Sequence, residues 1–137
     1  MRVTATTRIA CPPEEVFDTL ADLRNDTKWN SRVSSAELRS TEPIGLGSRF
    51  AIVNGDTAYD VTVTGYDRPS RLELEASGNP ELTIACTLTP TGDGTELQSD
   101  FDFRPKGALK VLFPLLAPVI RRDVPKQYAS FKALCER

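Results

Sequence analysis

The sequence contains no histidine. That removes the side chain most used for proton transfer near neutral pH, and with it every His-containing triad and HExxH zinc site. Cysteine is scarce. Cys11, Cys86 and Cys135 are an odd set without a CxxC pair, so they make no disulfide framework. Cys86 and Cys135 fall in apolar patterns, where a free thiol acts as a small hydrophobe. No apolar run is long either. The longest, Val111–Ile120, has ten residues and two prolines, half of the roughly 20 that a membrane-spanning helix needs. The opening MRVTATTRIA alternates and lacks the apolar centre of a signal peptide. A reducing, cytoplasmic setting is the expectation. Positive charge is not in excess: the net charge is −2, which implies no general affinity for nucleic acid. Gly45-x-Gly47 lacks the rest of any phosphate-binding fingerprint and reads as a turn. No metal or cofactor is indicated.

What is present suits one folded domain over residues 1–137, with 39% hydrophobic and 26% charged residues. Its organising stretch is the last. Phe113, Leu116, Ile120, Val124, Tyr128, Phe131 and Cys135 recur at spacings of three and four, which predicts a long helix with one apolar stripe. Pro114, Pro118 and Pro125 conflict with it, because an interior proline deletes a backbone donor and crowds the carbonyl four residues back. A kink or break is expected between Ala117 and Pro125, as a static bend or as a hinge over a cavity. Charge is also unevenly placed. From Arg104 onward there are eight Lys/Arg against two Asp/Glu, and before it nine against seventeen. Attraction between a basic helix and an acidic sheet is the favoured account. Contact with anionic lipid or an acidic partner is the lesser one.

The rest of the chain reads mainly as strands. Val3, Ala5, Thr7 and Ile9 alternate with polar residues and stop at Pro12-Pro13. Pro13, Glu14 and Glu15 then open a short helix whose buried face is Val16, Phe17 and Leu20. Asp22–Asn30 is polar and broken, a second short helix or a loop with Trp29 as its one large apolar residue. Six strands follow. They are punctuated by Glu42-Pro43, Asn54-Gly55, Asp67-Arg68-Pro69, Gly78-Asn79-Pro80 and Gly92-Asp93-Gly94. Tight turns make them antiparallel neighbours, and clean alternation gives them one wet and one dry face. Only the helices can cover the dry face, which is the α+β class.

Ala10-Cys11-Pro12-Pro13-Glu14-Glu15-Val16-Phe17, Leu20-Ala21-Asp22, Trp29-Asn30, Gly45–Phe50, Val63–Leu72, Gly94–Leu97 and Gly107–Lys110 carry a resemblance over nearly the whole chain. In that order and spacing they resemble the START-like, or SRPBCC, superfamily, and within it the polyketide cyclase/dehydrase and lipid transport proteins. The resemblance implies a helix-grip (Bet v 1-like) fold: a seven-stranded antiparallel sheet around a long C-terminal helix, two short helices after strand 1, and a deep apolar cavity. Members bind lipids, sterols, plant hormones or polyketides, and some catalyse ring closure or dehydration. The matching motifs are structural, so no catalytic residue carries over.

Cavity candidates follow from the strand and helix phases. Tyr59 shares phase with Val61 and Val63, and Tyr128 lies on the helix stripe. Leu74, Ser99 and Phe101 sit on dry strand faces, Ile120 and Val124 on the stripe, and Trp29 at the expected cavity mouth. A buried tyrosine hydroxyl wants a partner, from the protein or from a ligand. Small inward residues, Thr7, Ser40, Ala76 and Ser99, leave volume unfilled. Arg32 is a surface residue or a partner for an anionic ligand. The pairs Glu73/Glu75 and Asp100/Asp102 lie on wet faces, and the face of Tyr66 is open. Three functions fit: a carrier for a small hydrophobic ligand, a cyclase or dehydratase in the same cavity, or a protein- or membrane-contact module. The catalytic residues and the oligomeric state are left open.

Overall fold

The computed structural model describes residues 1–137. Its strands are β1 (Arg2–Ile9), β2 (Val33–Leu38), β3 (Arg49–Asn54), β4 (Thr57–Asp67), β5 (Arg71–Ser77), β6 (Glu81–Pro90) and β7 (Thr95–Arg104). Its helices are α1 (Pro13–Ala21), α2 (Asp26–Trp29) and α3 (Ala108–Cys135), with a single 3-10 turn over Leu23–Asn25. The short turns dictate the pairing. β2 to β7 lie side by side in chain order, and β1 closes the other edge against β7, giving the order β1-β7-β6-β5-β4-β3-β2. Every pair is antiparallel. α1 and α2 carry the chain from one edge strand to the other, so they come to lie across one end of the sheet.

Register aligns the dry faces into rows. Val3, Phe101, Ile84, Leu74 and Val63 are successive partners across β1, β7, β6, β5 and β4. The neighbouring row is Ala5, Ser99, Cys86, Leu72 and Tyr66. On the far side of the first lies Phe103, Leu82, Ala76 and Val61. A bulge between Val63 and Gly65 shifts the phase of β4 by one residue and turns Tyr66 inward. There it meets Phe17 edge-on at 5.1 Å. The outer face is a polar ladder. Arg71 binds Glu73 and Thr87, Arg104 binds Asp102 and Thr83, and Thr4 donates to Asp100. The paired carboxylates are thus surface residues.

α3 does not break between Ala117 and Pro125. It runs unbroken from Ala108 to Cys135 with Pro114, Pro118 and Pro125 inside it. Spacings of four and seven put the three rings on one side of the helix, and all three are exposed. The carbonyls they leave unpaired therefore face water, which removes most of the penalty. The charge account also needs correcting. Lys106, just before α3, pairs with Glu81 of the sheet at 2.9 Å. Within the helix, Lys132 pairs with nearby Glu136, while Lys110, Arg121, Arg122 and Lys126 make no ion pair.

Candidate functional site

α3 covers the sheet unevenly. Its second half drives Tyr128 and Phe131 into a core of 21 buried residues, together with Val16, Phe17, Leu20 and Trp29 from the short helices. Its first half sends Phe113 inward, but Phe113 is not part of that core although it is buried. It touches Phe103 instead, with ring centres 6.0 Å apart. Between these two attachments Leu82, Ile84, Phe101 and Phe103 stay partly accessible on the dry face. A chain of rings links them: Phe103 stacks on Phe101 at 6.0 Å, Phe101 meets Tyr128 at 5.9 Å, and Tyr128 meets Trp29 at 5.4 Å.

The chain of rings ends at polar groups that residue patterns alone did not bring together. Cys86 and Ser99 are neighbours across β6 and β7, with Sγ and Oγ 3.6 Å apart. Tyr128 reaches the same pair from α3. Burial holds its hydroxyl well above the ordinary value, with the Cys86 thiol adding to the rise and Ser99 opposing it. Burial likewise pushes the Cys86 thiol up to about 11, against the Ser99 hydrogen bond. Asp26 faces this group from α2. Burial pushes its carboxyl up to about 8; the Trp29 side chain opposes the rise and Asp22 adds to it. Asp26 and Trp29 lie three residues apart in one helical turn and so share a face. The indole N–H is fully buried and closes no well-formed hydrogen bond, even to the carboxyl beside it. Part of the Asp26 surface remains accessible, so the carboxyl lies at the edge of this group. A neutral carboxyl, a phenol and a free indole N–H form a compact set of donors and acceptors.

The residues anticipated from sequence divide into three groups. Trp29, Ser99, Phe101 and Tyr128 meet at this site. Trp29 is 9% exposed and packs on Tyr128 and Phe131, so it forms inner wall rather than mouth. α2 docks against α3 and β2 and carries the ring in with it. Leu74 and Val124 belong to or border the core, and Ile120 is half-buried. Tyr59 stands apart at the rim. It is half-buried opposite Ile52, beside Gly78, where an added Cβ would lie 2.6 Å from its ring. Burial raises its hydroxyl above the ordinary value. Of the small residues, Thr7, Ala76 and Ser99 do face inward. Ser40 does not: it lies beyond β2, where its Oγ accepts from the Arg49 amide at 3.0 Å. Arg32 is committed to Asp123 of α3 at 2.7 Å, beside hydrogen bonds joining Ser31 to Gln127. Asp26 was missed, as were Phe103 and Phe113 as lining. The only sequence signal for Asp26 was its place three residues before the lone tryptophan.

Two surface recesses lie elsewhere. One of about 450 Å³ is lined by Glu15, Asp18, Thr19, Asn25, Lys28, Leu134 and Cys135. Another, of about 230 Å³, lies mainly on the wet face of β2–β4, around Ser35, Glu37 and Asp60. Neither opens between α3 and the dry face. There, room is expressed as the partial exposure of Leu82, Ile84, Phe101 and Phe103.

Comparison with known proteins agrees with this architecture. TTHA0849 from Thermus thermophilus superimposes with a TM-score of 0.79 at 18% identity, over 98% of this chain and 97% of that one. Ara h 8.0201 gives 0.72 at 13% identity, over 98% and 97%. DynU16, from the dynemicin biosynthetic locus, gives 0.68 at 19% identity, over 96% of this chain and 46% of its own. At such identities these likenesses establish the fold. No curated protein sequence matches significantly. The family model described as polyketide cyclase / dehydrase and lipid transport matches residues 1–136, and with the helix-grip sheet, the two short helices and α3 in place, the chain belongs to that family.

Proposed function

We propose that residues 1–137 act as one domain that binds a small hydrophobic molecule between the dry face of β4–β7 and the first half of α3. The observation that carries this is the contrast along the chain of rings: partly accessible Leu82, Ile84, Phe101 and Phe103 at one end, and the unpaired Trp29 N–H with Asp26 and Tyr128 at the other. Apolar surface supplies affinity at about 25 cal/mol per Å² removed from water. The polar end orients the molecule, which calls for a ligand with one buried hydroxyl or carbonyl oxygen and an otherwise apolar body. A lipid-like or polyketide-like compound meets that description. Trp29, Ser99 and Tyr128 are the contacts proposed at the polar end; Leu74, Phe101, Ile120 and Val124 are the apolar walls, and Tyr59 is a rim contact.

The test is native mass spectrometry of the purified protein, followed by titration with an apolar fluorophore. A co-purifying compound and saturable binding that Ile84→Trp abolishes, with the fold retained, are expected. Binding that ignores Ile84→Trp would place the ligand elsewhere and end the proposal.

A second reading, catalysis of cyclisation or dehydration in the same space, is favoured by Asp26. A carboxyl that titrates near 8 can give and take a proton at neutral pH. Beside it, aromatic walls hold a flexible chain in one reactive shape. Asp26→Asn is then expected to remove turnover of a candidate polyketide while leaving its binding within severalfold. Unchanged turnover would leave a carrier only.

A further inference from the structure

One surface of α3 is out of keeping with water. Phe113 turns inward, yet Val111, Leu112, Leu115, Leu116 and Val119 are 79%, 52%, 77%, 41% and 39% exposed. A helix apolar all round is one with apolar surroundings all round, and a contiguous apolar patch on a protein surface marks an interaction site. Val111, Leu115 and Val119 follow at intervals of four, so they form one line along the side away from Phe113, about 12 Å long. Continued by a turn, the same line meets Arg122 and Lys126. Lys110 and Arg121 flank it. All four cations are exposed, and none has an ion-pair partner. The only acid within the helix, Asp123, is held by Arg32 at 2.7 Å.

Charge decides among the occupants this face could take. A second copy docked by two-fold symmetry would bring this cationic face against its own twin, which repels. A lipid surface with anionic headgroups meets both parts of the pattern. The acyl boundary accepts the apolar line, and the headgroups accept the cations, whose long stems reach past apolar neighbours to the charged layer. No helix is long and apolar enough to cross a membrane, so this is contact along the interface. We propose that the first half of α3 docks on anionic lipid and there turns the open end of the sheet–helix space toward the bilayer. The second clause rests on the ligand reading above; the docking does not.

Co-sedimentation with phosphatidylcholine vesicles, with and without phosphatidylserine, tests it. Binding is expected with phosphatidylserine and not without. It should fall as salt screens the cations, and fall about fivefold for each of Arg121→Gln, Arg122→Gln and Lys126→Gln. Leu115→Asp should abolish it at unchanged Tm, because that side chain contributes no core packing. The proposal is overturned by absence of vesicle binding, by equal binding to neutral vesicles, or by binding that survives Leu115→Asp. A concentration-dependent dimer dissolved by Leu115→Asp in sedimentation velocity would also overturn it, by giving the face to a second copy. The two readings fail separately: an apolar fluorophore titrated without vesicles reports the interior, and Leu115→Asp is expected to bind it like the parent protein.

Discussion

The two halves of α3 are built from similar apolar residues and meet opposite fates. In the second, Tyr128 and Phe131 are 4% and 0% exposed, clamped by Trp29 and the core of β1, α1 and the central strands. In the first, Leu115 and Val111 stand in water, while Phe113 turns in against Phe103. Apolar content does not explain the difference. What differs is the layer beneath. The short helices and β1 close up against the second half, whereas the first half passes over rows that keep part of their surface open. The same helix is therefore an anchor at one end and a partial cover at the other. Stability should be concentrated at the anchor and binding at the cover.

Substitutions on α3 probe that division most directly. Phe131→Ala should cost about 3–5 kcal/mol in urea unfolding, the range for a fully enclosed aromatic. Leu115→Ala should stay within about 0.5 kcal/mol. Equal losses at the two sites would break the comparison.

The anchor end also carries the pH dependence. The Asp26 carboxyl titrates near 8 in the folded chain against an ordinary 3.8, so folding takes up a proton between those values. Its stabilising contribution is complete below pH 4 and is lost as pH rises through 8, at up to about 1.4 kcal/mol per pH unit. Urea midpoints measured across that window should slope downward and flatten in Asp26→Asn. A slope that persists in the variant would remove this carboxyl from the account.

At the cover end, Phe113→Ala should cost about 1–2 kcal/mol, less than Phe131→Ala because Phe113 lies outside the main core. It should also speed ligand exchange, read by stopped-flow fluorescence. A small effect also belongs to the clasp that ties α3 to the residues after α2. Arg32→Ala breaks an exposed ion pair and should cost about 0.2–1 kcal/mol. A much larger loss would mean that the clasp, rather than the buried rings, holds the second half down.

Several features of this arrangement were legible in the residues. Alternation set the dry phase of each strand, tight turns set their order, and the three-and-four spacing of Phe113 to Cys135 set the inward stripe of α3 except at Leu116, which is 41% exposed. Ser99, Phe101 and Tyr128 were reachable from phase alone, and Trp29 from the family resemblance. The unbroken course of α3 was less so, because the cost of a proline depends on whether the carbonyl it orphans faces water. Tyr66 was ambiguous because one bulge reverses every phase after it.

By itself the sequence determined the period of each element and which side of it is apolar, since both follow from spacing along a few neighbouring residues. Only the tertiary structure decided that Asp26, Trp29, Cys86, Ser99 and Tyr128 come together, and that half of an apolar helix is left uncovered. Those outcomes depend on strand register and on the angle at which α3 crosses the sheet. Both are set by the sum of contacts across the whole molecule, and no local repeat records them.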